Sequence, residues 1–216
     1  MRATLIGATG LIGSHLLDLL LEDQYFDAVR ILVRRPLEMN HPKLEKKLVN
    51  FSDQESFRLA LEESDVIFCT IGTTQKKVKS DKEAYRKVDY DIAINAAQLG
   101  KLCGCKTFVL VSAVGANAKS NNFYLKLKGE IEEAVKAIGL MNTYFIRPSL
   151  LLGKRKEFRP GEKISMLIMP VFSLLIPTKF KPVHATDVAK AMIAAGKMSE
   201  PGLHILHFKE IKLLID

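Results

Sequence analysis

What this chain of 216 residues lacks narrows its chemistry first. It has no tryptophan and only 3 cysteines, Cys69, Cys103 and Cys105. An odd number of thiols, spaced as neither C-x-x-C nor a zinc pattern, supports neither a disulfide framework nor a structural metal. Reduced thiols in a cytoplasmic protein are the expectation. Long apolar runs are also lacking. Residues 1–21 superficially resemble a signal peptide, but Gly7, Gly10, Gly13 and His15 interrupt the run, and a strand, a loop and a helix account for all of them. Residues 164–176 are broken by Pro170 and fall short of the about 20 residues that a spanning helix needs. No transmembrane segment is expected. Nor does the chain carry repeats, low-complexity stretches or a linker, so a single domain over residues 1–216 is expected.

Charge is plentiful, and its balance is basic, with a formal net charge of +8. That sign suits nucleic acid, an anionic membrane surface or an anionic small molecule. The lysines and arginines are spread along the whole chain, with denser patches at Lys76, Lys77 and Lys79 and at Lys154, Arg155 and Lys156. Scattered positive charge reads as a solvated surface. Nucleic acid is therefore not expected as a partner, and a small-molecule substrate is.

Short β-branched runs alternate with helical patterns. Strands are expected at residues 3–6, 29–33, 47–50, 66–70, 107–112 and 143–146. Helices are expected at 11–21, 54–61, 82–102 and 122–138. Strands that are apolar on both faces and separated by helices imply a parallel sheet covered on both sides. Right-handed crossovers then give an α/β doubly wound parallel sheet, the Rossmann fold. After Arg147-Pro148 the rhythm changes. A basic loop over 154–163 leads to the apolar stretch 164–176, and Pro177 and Pro182 flank a short connection. Thr186 reads as the N-cap of a helix over 187–198. A last strand over 203–208 and a terminal helix over 209–215 follow. Residues 154–216 are thus expected to form a small C-terminal lobe that caps the substrate.

The chemistry concentrates at the N-terminus. A pyrophosphate needs backbone N–H donors at close range, where side chains obstruct. Gly7-Ala8-Thr9-Gly10-Leu11-Ile12-Gly13 follows a strand and opens a helix, so the first N–H groups of that helix face an anion, helped by the helix dipole. Its G-x-x-G-x-x-G spacing is one residue off the usual dinucleotide fingerprint. A glycine-containing turn without a ligand is the plain alternative, and the strand–loop–helix context argues against it. The second strand ends in Arg34-Arg35, with no acid there to hold ribose hydroxyls. A guanidinium fork suits the 2′-phosphate of NADPH, so NADPH (NADP) is the expected cofactor.

Tyr124 and Lys128 have the Y-x-x-x-K spacing, which places both side chains on one helix face. The ammonium would stabilise a phenolate, so Tyr124 could exchange a proton with a substrate oxygen while hydride moves. Ser112, at the end of a strand, lies on the sheet edge where ligands bind in this fold and could hold a substrate carbonyl. These are the candidate catalytic residues. The spacing also arises by chance in amphipathic helices, and it is the combination with Ser112 and the glycine loop that carries the reading.

The glycine loop, Ser112 and the Tyr124/Lys128 pair resemble the atypical branch of the short-chain dehydrogenase/reductase superfamily, and within it the group of Tat-interacting oxidoreductases and their bacterial relatives. Further segments carrying the resemblance are 69–74, 120–130, Arg147-Pro148 and 158–162. It implies cofactor contacts at Gly7, Thr9, Gly10, Leu11, Ile12, Arg34, Arg35, Ile71, Gly72, Tyr124, Lys128, Leu151 and Arg159. The chain departs from the superfamily at Asn50-Phe51, where an acid for the adenine amino group is common, and at Ala113, where a second serine is common.

Other features are read as structural. His204 and His207 fall on opposite faces of a strand and make no metal site. His184 belongs to the start of a packing helix, and Asp89, Tyr90 and Asp91 read as helix solvation. The stretch 164–176 reads as core, although a lid, a lipid contact or a face for a homodimer or protein partner would use the same residues. The sequence thus points to an NADPH-dependent oxidoreductase of a carbonyl or alcohol. Its rivals are an NADPH-sensing regulatory binding protein and a sugar-nucleotide epimerase-like enzyme. Replacing Arg34 and Arg35 together by alanine should weaken NADPH binding about tenfold or more, the scale of a lost charge-assisted hydrogen bond, and leave NADH binding unchanged. Nicotinamide fluorescence titration measures both, and equal losses would refute the role of the arginines.

Overall fold

The computed structural model describes residues 1–73, 81–153, 177–198 and 200–215. Among these residues, seven strands form one sheet in the order β3-β2-β1-β4-β5-β6-β9. They are β1 (Arg2–Ile6), β2 (Ala28–Val33), β3 (Leu44–Leu48), β4 (Val66–Cys69), β5 (Thr107–Val111), β6 (Asn142–Ile146) and β9 (Gly202–Leu206). Every neighbouring pair is parallel. All carboxyl ends therefore lie on one edge, and the order reverses beside β1, where ligands bind in this fold. β7 (Leu151–Leu152) and β8 (Val183–His184) pair separately, also in parallel.

Both faces of the sheet are covered, as continuous apolar strands require. On one face lie α1 (Leu11–Glu22) and α6 (Ala185–Lys197). α1 buries Ile12, Leu16, Leu17, Leu20 and Leu21, a stripe at helical spacing. α6 meets it with a face rich in small residues, Ala185, Ala189, Ala191 and Ala195, which lets the helix settle close to the sheet. On the other face lie α2 (Gln54–Leu61), α4 (Ile92–Leu102) and α5 (Phe123–Ile138), packed over Ile6, Leu32, Ile67, Phe108, Leu110 and Phe145. Asp53 caps α2 and Asn122 caps α5 through side-chain oxygens that accept backbone N–H groups.

Some boundaries differ from the sequence expectation. The third strand is β3 at Leu44–Leu48 rather than 47–50. It is an edge strand with exposed Lys46, Lys47 and Leu48, so no buried face sharpens its pattern. The helix expected over 82–102 is interrupted. α3 (Lys82–Arg86) passes through a π-turn at Lys87–Asp91 before α4 resumes. Thr186 does not cap α6. The helix starts at Ala185, after His184, and has no side-chain cap. Of the expected C-terminal lobe, β9 completes the main sheet, and α6 and the short helix α7 (Phe208–Leu213) pack on its core. The basic loop 154–163, the apolar stretch 164–176 and the Lys76, Lys77, Lys79 patch lie outside the described residues.

Gly196, near the end of α6, shows how tightly this layer sits. A Cβ there would stand 2.5 Å from Cζ of the fully buried Phe68 ring. Alanine gains about 1 kcal/mol of helix propensity, whereas overpacking costs about 1–3 kcal/mol. Gly196→Ala should therefore lower the thermal unfolding midpoint, and a higher midpoint would show that the Phe68 ring yields.

Candidate functional site

The site begins where β1 ends. Gly7 has φ +96°, a left-handed conformation that favours glycine, and its carbonyl accepts the N–H of Gly10 at 3.0 Å to close the turn. Gly10 is the N-cap of α1. It offers no side-chain cap, and the first turn of the helix holds no acid. Among the described residues, the N–H groups at that end are therefore left by the side chains for an anion.

The three glycines do different work. A Cβ on Gly13 would lie 2.0 Å from the Gly7 carbonyl oxygen, and one on Gly7 would lie 2.6 Å from Thr70 Oγ1. Both are required by packing between β1, α1 and the chain after β4. Gly10 is not. Its φ of −79° suits any residue, and among the described residues a Cβ would meet only the Gly7 oxygen, at 3.3 Å. It is also exposed. Its bare Cα keeps open the space before the helix N-terminus, which a Cβ would fill, and a pyrophosphate fits that cradle.

Thr70 went unnoticed in the sequence. Its N–H donates to the Ile6 carbonyl at 2.9 Å, and its Oγ1 lies 3.0 Å and 3.2 Å from the Ile6 and Gly7 carbonyls. It thus pins the glycine loop from the neighbouring strand. Only the adjacency of β1 and β4 gives it that task. Ile71, half-buried, and Gly72, exposed, follow at the same edge. Thr9 is exposed, Leu11 half-buried and Ile12 buried. Leu151 and Gly153 come from the β7 strap, where a Cβ on Gly153 would stand 3.1 Å from Leu11. Arg34 and Arg35 are exposed in the bend after β2. Arg159 lies outside the described residues.

Ser112 directly follows β5, and its N–H donates to the Ile146 carbonyl at 2.7 Å. Its Oγ is buried and makes no hydrogen bond among the described residues. Tyr124 is 37% exposed in the first turn of α5. Lys128, one turn on, is buried with Nζ 5.9 Å from the Tyr124 ring centre. Gly129 lets α5 approach the chain after β5, because a Cβ there would lie 2.1 Å from the Ala118 nitrogen. Arg147 forms an ion pair with buried Glu132 of α5, tying that helix to the end of β6.

One expectation is corrected by burial. Asp89 does not solvate a helix. It is 1% exposed, on the π-turn, with Oδ1 3.4 Å from Lys128 Nζ and Oδ2 accepting the Thr73 N–H at 2.7 Å. Asp91 is exposed, as expected, and Tyr90 is half-buried beneath the Arg86 guanidinium. Burial works against the Lys128 ammonium, but Tyr124, Asp89 and Cys69 outweigh it and raise its affinity for the proton. Cys69, at the end of β4, is wholly buried, and that burial pushes its thiol up to about 11, so it stays protonated.

A family described as NAD(P)H-binding matches residues 7–196, which takes in the glycine loop and the whole of α5. The chain belongs to this NAD(P)H-binding family. Among its relatives, the mitochondrial protein FMP52 of Meyerozyma guilliermondii is 35% identical over 98% of this chain and 94% of its own length. Protein HTATIP2 of Rattus norvegicus is 35% identical over 73% of this chain and 66% of its own. The chain is an atypical short-chain dehydrogenase/reductase-type relative of HTATIP2. Among solved structures, UDP-glucose 4-epimerase from Thermotoga maritima superposes with a TM-score of 0.73 at 16% identity, over 99% of this chain and 81% of that one. That likeness establishes the Rossmann fold. The expectation of a cytoplasmic location is corrected. Relatives in several fungi are named mitochondrial, which overturns it. No helix among the described residues is long and apolar enough to cross a membrane.

A nicotinamide dinucleotide is the cofactor of this family, and the uncapped helix end and the bare Gly10 suit its pyrophosphate. The glycines separate fold from binding. Gly13→Ala should lower the unfolding midpoint by several degrees, on an overpacking cost of about 1–3 kcal/mol. Gly10→Ala should fold with a midpoint close to wild type yet bind the cofactor at least about tenfold more weakly, a loss of about 1.4 kcal/mol. Undiminished binding by Gly10→Ala would move the pyrophosphate away from this loop.

Proposed function

We propose that the protein is an NADPH-dependent oxidoreductase acting on a carbonyl or alcohol through Ser112, Tyr124 and Lys128. The observation that carries this reading is the buried Ser112 hydroxyl, which makes no hydrogen bond among the described residues at the carboxyl edge of β5. A buried polar atom left so costs free energy, and a substrate oxygen would relieve it. Tyr124 and buried Lys128 on α5 support the same reading.

In this mechanism Ser112 Oγ donates a hydrogen bond to the substrate oxygen and fixes its position. Tyr124 Oη gives its proton to that oxygen during reduction and takes it back in the reverse direction. The Lys128 ammonium favours the phenolate electrostatically and donates to the hydroxyls of the nicotinamide ribose. The nicotinamide, when bound, supplies the hydride. Arg34 and Arg35, in the bend after β2, take the 2′-phosphate, and the lack of an acid at that strand end supports that choice over NADH. The chain acts as one domain, in which Leu151 of β7 and Gly153 beside Leu11 border the glycine loop.

Tyr124→Phe removes one oxygen at a 37% exposed position. It should abolish cofactor oxidation across a panel of aldehydes and ketones while NADPH affinity changes less than about threefold, well under 1.4 kcal/mol. Full turnover by Tyr124→Phe would exclude it as the proton donor. Tight NADPH binding by the wild type, with no carbonyl ever reduced, would favour a cofactor-sensing protein.

A further inference from the structure

Lys128 carries a charge into the protein interior, and the carboxylate of Asp89 answers it. Both side chains are almost fully buried, at 6% and 1% exposure, with Nζ and Oδ1 3.4 Å apart. The carboxylate arrives by an unusual route. The helix that should run through residues 82–102 widens into a π-turn at Lys87–Asp91, and Asp89 sits in that turn. Such bulges are rare inside α-helices and recur at functional sites. The second oxygen of Asp89 accepts the Thr73 N–H at 2.7 Å, and the Thr73 carbonyl accepts the Tyr85 hydroxyl at 3.1 Å. Asp89 therefore joins three pieces of the site: α5 through Lys128, the chain after β4 through Thr73, and the π-turn itself.

We infer that Asp89 is a positioning residue, whose buried carboxylate keeps Lys128 charged and aimed at the ribose side of the cofactor while locking the chain after β4 to α5. This rests on the role given above to Lys128. Among the described residues, the titratable groups that act on that ammonium are Tyr124 on its own helix, Asp89 on the π-turn and Cys69 at the end of β4. Cys69 stays a neutral thiol and Tyr124 is partly in solvent, so Asp89 supplies the standing negative charge. A buried charge without its partner is far more costly than the pair or than two neutral groups.

The consequence is visible without turnover. In the wild type the folded protein holds the Lys128 proton more tightly than an unfolded chain does. The pair's contribution is then complete below the pH where a free lysine titrates, near 10.4, and is lost only above it. In Asp89→Asn the amide oxygen can still accept the Thr73 N–H, but the charge is gone and burial dominates. The folded protein then holds the proton less tightly than the unfolded chain, so stability must rise with pH.

The experiment measures thermal midpoints and NADPH affinity of the intact protein from about pH 7 to about pH 10. For Asp89→Asn the midpoint relative to wild type should climb by several degrees across that range. NADPH binding should weaken by about tenfold over the same range as Lys128 loses its proton, whereas wild-type binding changes little. Coincident pH dependences for Asp89→Asn and wild type, in both measurements, would overturn the inference. If Asp89→Asn does not fold, the double variant Asp89→Asn/Lys128→Met decides. Recovery of folding when both charges are removed supports the ion pair, and continued failure overturns it. Lys128→Met separates the two claims. NADPH binding as tight as wild type by this variant would remove the assigned role of Lys128 itself. Weakened binding by Lys128→Met, together with an unaffected Asp89→Asn, would defeat only the role of Asp89.

Discussion

The Gly7 carbonyl occupies the place where a side chain on Gly13 would begin. That contact ties the end of β1 to the first turn of α1 so closely that Gly13 cannot carry a Cβ, while Thr70 and the positive φ bar one from Gly7. Thr70 reinforces it from β4, with its hydroxyl against the carbonyls of Ile6 and Gly7. The result is a helix end held rigidly at the sheet edge, without a side-chain cap and with Gly10 bare in front of it. A helix N-terminus attracts anions through its free N–H groups and its dipole. Rigid placement at the point where strand order reverses sets that attraction at the edge where ligands bind in this fold.

The parallel sheet supplies the rest. Because every strand runs in the same direction, the chain emerges at one edge after β1, β2, β4, β5 and β6. The glycine loop, Arg34 and Arg35, Thr70 to Thr73, Ser112 and Arg147 therefore collect there, although more than a hundred residues separate the first from the last. α5 enters the same edge carrying Tyr124 and Lys128, and Gly129 allows its close approach to the chain after β5. The ion pair of Arg147 and Glu132 fixes the helix from behind. Lys128 is the most constrained charge of the set, since it is buried and depends on neighbours for compensation.

Much of this was legible in the chain. The apolar strands at 3–6, 29–33, 66–70, 107–112 and 143–146 agree with observed strands to within about a residue, because strands buried on both faces leave continuous apolar runs. β3 was misplaced because an edge strand has little burial to mark it. Thr186 has the chemistry of a cap, but α6 begins one residue earlier and without a side-chain cap. Asp89 was read as solvating a helix because a helical periodicity cannot reveal a π-turn that changes which face a residue occupies. Thr70 carried no local signal, since its partners lie on a strand more than sixty residues away. Location was misjudged for a different reason. Reduced cysteines fit many compartments, and relatives named mitochondrial overturned the cytoplasmic expectation.

The sequence by itself determined the alternation of strand and helix, the glycine turn before α1, and the one-turn spacing of Tyr124 and Lys128. These follow from local steric limits and from the periods of helix and strand, which neighbouring residues fully specify. The tertiary structure alone decided which glycine is free of packing duty, which strand pins the loop, and which acid faces the buried ammonium. Those depend on contacts between segments far apart in the chain. Their energies come from burial, and burial is a property of the folded protein.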